Sequence, residues 1–503
     1  MRKQKALYNL LANLVLQLVT AASGFILPAL FILHYGSEIN GMIGSIKQFM
    51  AYLSLVEAGV GTASIAALYA PLVNRNNIGV SGILSATQIF YKKSGYLFVI
   101  LVVMIAVIFS LLVRNQVEII TSFMMVIIIG CGSLAEYFLI GKYRVLLTAD
   151  QKNYVISNMQ AVATVLNTMV SVILIFQGIN VLVVQAAATF IYISRVFVIQ
   201  YYISKHYPQI SFKAEPDFKA LDKRWAAFIH QIAGIVVFNS PVVLITIFCG
   251  LKDASIYVVY SMIFGAVGLI VSVFSNGMLA GFGEIIAIKE QETLQRIYDN
   301  YQYIFYAVLA WAYTCTALLI MTFINIYAKY FTDANYIRPD IALLFIIIGV
   351  ANNIRVPPNT IVNAAGHFQE TQSRAILEAS INLTVSLILV QFIGIVGVLI
   401  GSACSYAYRT IDFILYAGKY ILKQSPSNSI KRIIINTVLA IISALPFVLW
   451  INIKATNYQE WFACAIGISV FVFVIIVAGN AVYDFRMFKS TLIMAKNLLS
   501  KGV

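Results

Sequence analysis

Long apolar runs separated by short polar loops recur from one end of the chain to the other. A helix needs about 20 mainly apolar residues to cross a bilayer. Measured with that ruler the chain holds about 14 such runs, at 8–33, 42–70, 94–113, 119–141, 155–176, 181–203, 226–250, 255–283, 302–325, 341–365, 375–393, 395–418, 433–452 and 461–483. The pattern predicts an all-α polytopic membrane protein with nearly all of its length in lipid. The first run follows Met1-Arg2-Lys3-Gln4-Lys5, and Thr20 to Gly24 supplies the small residues of a leader-cleavage site. Its apolar pattern continues to Leu33, beyond the core of a cleaved leader, so it reads as the first span.

The polar interruptions organise the runs. The longest, KHYPQISFKAEPDFKALDKRW from Lys205 to Trp225, falls after six spans and reads as a cytoplasmic linker. The halves on either side repeat one another. NTMVSVILI at 167–175 matches NLTVSLILV at 382–390 at an offset of 215, and Tyr192, Arg195, Tyr202 and Lys205 meet Tyr406, Arg409, Tyr416 and Lys419 at an offset of 214. Apolar identities come cheaply in such a sequence; Asn, Arg and Lys at one spacing do not. More loosely, Pro28 precedes Gly36 much as Pro241 precedes Gly250. The reading is an N-lobe of six spans (1–204), the linker (205–225), a parallel six-span C-lobe (226–423), and two appended spans with a basic tail (424–503). Transporters built from parallel repeats bind substrate near the midplane and work by rocking one lobe against the other.

Composition agrees with a membrane chain: 61% of the 503 residues are hydrophobic and 11% charged, with a mean hydropathy of +0.87. Lys and Arg set the orientation, since placing both termini inside leaves only Arg114, Lys252, Lys329, Arg338 and Lys454 outside, against about 25 within or beside cytoplasmic segments. Both ends are expected to be cytoplasmic. The net charge of +14 follows from that asymmetry and calls for anionic lipid headgroups rather than nucleic acid as partner. The cysteines (Cys131, Cys249, Cys315, Cys404, Cys464) stand alone in apolar runs, with no metal or redox spacing. No P-loop, H-E-x-x-H or G-x-S-x-G stands in the sequence. The expectation is a carrier with neither catalytic site nor cofactor.

Charges inside the spans are the candidate chemistry, because each costs about 2.5 to 3.5 kcal/mol at a helix centre on insertion scales and is usually turned to protein or to a wet cavity. Lys47 and Glu57 in the second span differ by about 80° in azimuth and can flank one cavity wall. Arg195 and its twin Arg409 read either as cationic contacts for an anion or as braces. For Arg195 the brace is a snorkelling side chain; for Arg409 it is a pair with Asp412 three residues on. Arg355 is followed at once by Val356-Pro357-Pro358, and two prolines predict a broken helix with a guanidinium at the break. Glu136 and Glu378 join Glu57 and Asp412 as candidate coupling sites for H⁺ or Na⁺, with Arg374 four residues before Glu378 as an alternative helical partner.

These residues carry a resemblance. The opening stretch through YGSEING to ALY69, the block NAAGHFQETQSRAILEASINL at 363–383 and GVLIGSACSYAYRTIDFILY at 397–416 resemble the polysaccharide-exporter branch of the multidrug/oligosaccharidyl-lipid/polysaccharide flippase superfamily over essentially the whole chain. The resemblance implies two six-helix lobes around a central cavity, and translocation of an undecaprenyl-diphosphate-linked glycan to the outer leaflet. It further implies that cavity cations engage the pyrophosphate, for which Lys47, Arg195, Arg355 and Arg409 are the candidates, and that the two last spans form a groove for the lipid tail. Glycan polymerases or glycosyltransferases are the implied protein partners. The branch often carries Asn-Thr-Asp in span 7, where this chain has Asn239-Ser240-Pro241, which removes the acid for cation coupling there. Two other readings stand beside it: a cation-coupled multidrug or metabolite exporter, which would favour an acidic cavity, and a membrane glycosyltransferase or polymerase, which would need a larger external loop than 326–340.

Overall fold

The computed structural model describes residues 2–57, 59–218, 224–272, 278–451 and 453–491. Part of the expected linker, part of the eighth run, and the tail residues Lys496 and Lys501 lie outside them. Every regular element among the described residues is helical. The helices are α1 (Arg2–Tyr35), α2 (Ser37–Leu53), α3 (Val60–Val73), α4 (Asn77–Leu112), α5 (Ile119–Ala135), α6 (Gly141–Ala149), α7 (Asn153–Phe176), α8 (Val181–His206) and α9 (Arg224–Phe248). They continue with α10 (Leu251–Ser272), α11 (Met278–Ala287), α12 (Gln291–Tyr327), α13 (Pro339–Ile354), α14 (Val356–Ala364), α15 (Phe368–Ile393), α16 (Ile395–Tyr416), α17 (Ser427–Leu449) and α18 (Tyr458–Tyr483). Among the described residues 11 helices are long and apolar enough to cross a membrane, or up to 12 when the bent pair at Ser37–Val73 is one span. This is a multi-pass membrane protein.

Three spans differ in detail from the sequence pattern. Helix α4 begins about five turns and α12 about three turns before its apolar run: Val80 to Thr87 of α4 are buried without a break, and Leu294, Tyr298 and Tyr301 of α12 are buried at helical spacing. The second span is interrupted: after α2 comes a 3₁₀ turn at Ser54–Glu57, and Gly59, at φ +87°, starts α3. The double proline disturbs its helix less than expected. Arg355 keeps near-helical angles (φ −74°, ψ −12°) between α13 and α14, and Pro357 and Pro358 fall in the first turn of α14, where no intrahelical N–H donor is needed.

The chain divides into two compact units, Met1–Met262 and Ile263–Val503. The division falls inside α10 because α9 and the start of α10 pack on α2. Asn40 donates to Ser255 Oγ at 2.7 Å and the hydroxyls of Ser45 and Thr246 meet at 2.6 Å. Gly41 lies so close to Leu251 that a Cβ there would stand 1.9 Å from its carbonyl oxygen. Outside the apolar spans of this unit, Asp150 takes Lys5 at 3.1 Å and Lys152 at 2.9 Å, with the Tyr207 hydroxyl at 2.5 Å. Burial raises the Asp150 pKa, but these hydrogen bonds and the Lys152 charge outweigh it and hold the carboxyl below its usual value. In the second unit α17 and α18 lie along α12: Arg432 pairs with Asp299 at 3.1 Å, and the Trp311 indole donates to the Ser469 carbonyl at 3.0 Å.

Eight of the ten positive φ angles among the described residues fall in pairs 214 to 216 residues apart: Gly36 (+88°) with Gly250 (+98°), Arg75 (+55°) with Lys289 (+59°), Gln151 (+58°) with Gly366 (+71°), and Gly178 (+71°) with Gly394 (+58°). Each lies in a turn between helices, where a positive φ is uncommon for any residue but glycine.

Candidate functional site

In the first unit, α1, α2, α5, α7, α8 and the start of α10 enclose a cavity of about 590 Å³. Its polar lining comes from side chains recurring along two otherwise apolar helices: Gln160, Thr164, Asn167 and Ser171 of α7, and Gln185, Thr189, Tyr192 and Arg195 of α8. Spacings of three and four put each set on one helix face. The cavity also holds Lys47, Gln48 and Glu136, so the structure brings together Lys47, Arg195 and Glu136 from the sequence candidates. Lys47 opens into the cavity, and no ion pair forms on it among the described residues. Arg195 donates from Nε to the Tyr192 carbonyl at 2.8 Å and lies over the Tyr192 ring at 5.4 Å, also without an ion pair. Glu136 is paired elsewhere, with Arg144 at 2.7 Å. Glu57 does not line the cavity.

The second unit treats its candidates differently. Arg355 Nη1 donates to Glu378 at 2.5 Å, Arg409 reaches the other oxygen of Glu378 at 3.4 Å and Asp412 at 2.7 Å, and Arg374 pairs with Asp412. The guanidiniums also stack: Arg355 on Tyr406 at 4.7 Å, Arg374 on Tyr416 at 4.8 Å and Arg409 on Phe413 at 3.9 Å. Three guanidiniums and two carboxylates thus form one cluster across α13, α15 and α16, with the Arg409 side chain only 4% exposed. The expected pair of Arg409 with Asp412 three residues on forms, but Glu378 pairs with Arg355 and Arg409 instead of Arg374, and Arg374 reaches across to Asp412. Sequence spacing favoured Arg374–Glu378 because it sees only neighbours on one helix. The twins Arg195 and Arg409 therefore have different surroundings, one open to a cavity and one held by two acids.

The second unit also has an apolar groove of about 260 Å³ between α12, α13 and α17, lined by Tyr306, Tyr313, Val350, Ile433, Ala440 and Ala444 among others. Sequence reading singled out charges and so passed over the uncharged cavity residues of α7 and α8. Their signal was the helical recurrence of Gln, Thr and Asn within apolar runs.

No family model and no curated protein matches the sequence. Solved structures do match the fold. An inward-facing multidrug resistance MATE family transporter of the MOP superfamily superposes with a TM-score of 0.63 at 15% identity, over 85% of this chain and 99% of that one. The lipid II flippase MurJ, in an inward closed conformation, gives 0.64 at 14% identity over 93% of this chain and 98% of that one. A MOP superfamily transporter from Pyrococcus furiosus, described by a binding pocket of reversed polarity, gives 0.56 at 13% identity over 83% and 96%. The chain has the fold of the MOP superfamily transporters.

Proposed function

We infer that the protein is a flippase for an undecaprenyl-diphosphate-linked oligosaccharide, carrying it across the plasma membrane by alternating access for export of a cell-surface polysaccharide. The observation that carries the reading is the open pair Lys47 and Arg195 in a polar cavity. Two cations that form no ion pair among the described residues favour an anion that brings its own charge, and a guanidinium suits a diphosphate through paired hydrogen bonds. The surrounding glutamine, asparagine and hydroxyl side chains offer what the sugar of such a lipid needs. Arg355 and Arg409 are the second pair of headgroup candidates, tempered by Glu378 and Asp412, and the apolar groove of the second unit suits part of a prenyl chain.

The competing reading, cation-coupled export of a drug or metabolite, is compatible with the same fold and gains from Glu136 at the cavity wall. Purified protein in liposomes separates the two. A fluorescent undecaprenyl-diphosphate glycan is expected to cross, and Arg195→Gln and Lys47→Gln are each expected to slow it about tenfold, the loss of one charge-assisted hydrogen bond. The flippase reading fails if the parent moves no such lipid but drives out a cationic dye under a pH or sodium gradient, or if both variants flip as fast as the parent.

A further inference from the structure

The two units build the same corner, with one difference. In the first unit α6 ends at Ala149, Asp150 follows, Gln151 turns the chain at φ +58°, and Lys152 precedes α7. In the second α14 ends at Ala364, Ala365 follows, Gly366 turns the chain at φ +71°, and His367 precedes α15. Both corners thus carry a basic side chain, Lys152 or His367, at an offset of 215. Only the first carries an acid there: Asp150, which neutralises Lys5 and Lys152. Ala365 takes its place in the second.

Beside Ala365 the second unit has a cavity of about 340 Å³. Lys289, His367 and Lys423 line it from three different connections, and Glu290 is its one acidic lining residue among the described residues. None of the three basic side chains forms an ion pair among the described residues. Both lysines have left-handed backbone conformations, φ +59° and +51°, which a lysine adopts at a cost and which recur at ligand clamps. Gln291 fastens the chain just before Lys423 by donating to the carbonyls of Ile421 at 3.0 Å and Leu422 at 2.7 Å, and Gln295 donates to Leu422 as well. His367 is oriented by Tyr416, whose hydroxyl meets Nδ1 at 3.0 Å; when that hydroxyl donates, the neutral ring keeps its proton on Nε2 as a donor. Ile286, Leu294 and Ile421 supply apolar wall. The cavity lies where the apolar runs 341–365 and 395–418 end, the level of lipid headgroups.

We propose that this cavity binds a phosphate group, held by Lys289, His367 and Lys423 at the corner where the first unit holds the carboxylate of Asp150. A phosphate brings the negative charge that Ala365 lacks, and its oxygens accept several hydrogen bonds at once, which two ammonium groups and an imidazole can donate. Two sources offer that chemistry: the headgroup of an anionic lipid, with the apolar wall taking the start of its chains, and a soluble phosphate ester. The site shares no residue with the cavity of Lys47 and Arg195 and does not rest on the flippase reading.

Native mass spectrometry of the full chain in a non-ionic detergent tests the site with two probes, a short-chain phosphatidylglycerol and glycerol 1-phosphate. The parent should take up one saturable equivalent. Ala365→Asp, which gives the second unit the acid of the first, should weaken that binding about tenfold, whereas Ala365→Asn, of the same size without the charge, should keep it. Lys289→Gln combined with Lys423→Gln should weaken it at least as much as Ala365→Asp. Uptake of both probes supports a site for the phosphate group alone, and uptake of the lipid only supports a headgroup site. The proposal is overturned if the parent binds neither probe, if Ala365→Asp binds no more weakly than Ala365→Asn, or if Arg195→Gln removes the equivalent, which would place it in the cavity of the first unit. Should the double lysine variant not survive purification, the two substitutions at Ala365 decide.

Discussion

At the scale of single residues, the contrast between Arg195 and Arg409 shows how identical side chains at equivalent repeat positions take on different work. Arg409 is buried against Glu378 and Asp412, and the cluster holds because each guanidinium has both an acid and an aromatic ring. Removing one member of a buried ion pair leaves an uncompensated charge and typically costs about 3–5 kcal/mol. Glu378→Ala, which strands Arg355 and leaves Arg409 with Asp412 alone, is therefore expected to lower thermal stability in detergent strongly, read as the midpoint of fluorescence-detected unfolding. Arg195→Gln breaks no ion pair among the described residues and is expected to melt close to the parent. Equal midpoints for the two variants would mean that the cluster is not what holds α13, α15 and α16 together.

At the scale of elements, the helices follow from apolar run length, and the repeat follows from a handful of polar identities. Asn167 and Asn382, Ser171 and Ser386 are all buried at matching places in α7 and α15, which is why those letters and not the aliphatic ones revealed the duplication. The sequence did not announce that α9 and α10 pack on α2, because that contact depends on the absence of side chains. At Gly41 a Cβ would meet backbone oxygen, which cannot move aside, whereas at Gly44 it would meet Cγ2 of Val258 at 2.6 Å, a side chain able to turn. Gly41→Val should thus force the helices apart, and Gly44→Ala should be tolerated. Cysteines placed at Asn40 and Ser255, whose side chains meet at 2.7 Å, give the readout in a background freed of the native thiols. Oxidative cross-linking is expected in the parent and with Gly44→Ala, and lost or slowed severalfold with Gly41→Val.

For the molecule as a whole, fold class and number of spans were legible because bilayer thickness imposes one length on every helix. Candidate charges were legible because each is costly in lipid. What each charge does was not, since ion pairs such as Arg374–Asp412 join residues distant in sequence and the π turn at Glu136 has no compositional mark. The two appended helices illustrate the same division. They were expected to form a groove for a lipid tail; α17 lines the apolar groove together with α12 and α13, and α18 lies outside its lining. If this groove takes part of the prenyl chain of the proposed substrate, filling it should impair handling of the chain and not of the headgroup. A bulky indole from Ala440→Trp or Ala444→Trp fills a groove of about 260 Å³, a space for only a short part of a long chain. Either substitution is expected to slow flipping of an undecaprenyl-diphosphate glycan about tenfold, the loss of a few buried methylenes at about 0.8 kcal/mol each. A short-chain analogue with the same headgroup should be spared, whereas Arg195→Gln should slow both lipids equally. Should Ala440→Trp slow the two lipids alike, the groove serves the stability of α17 against α12 and does not select the chain.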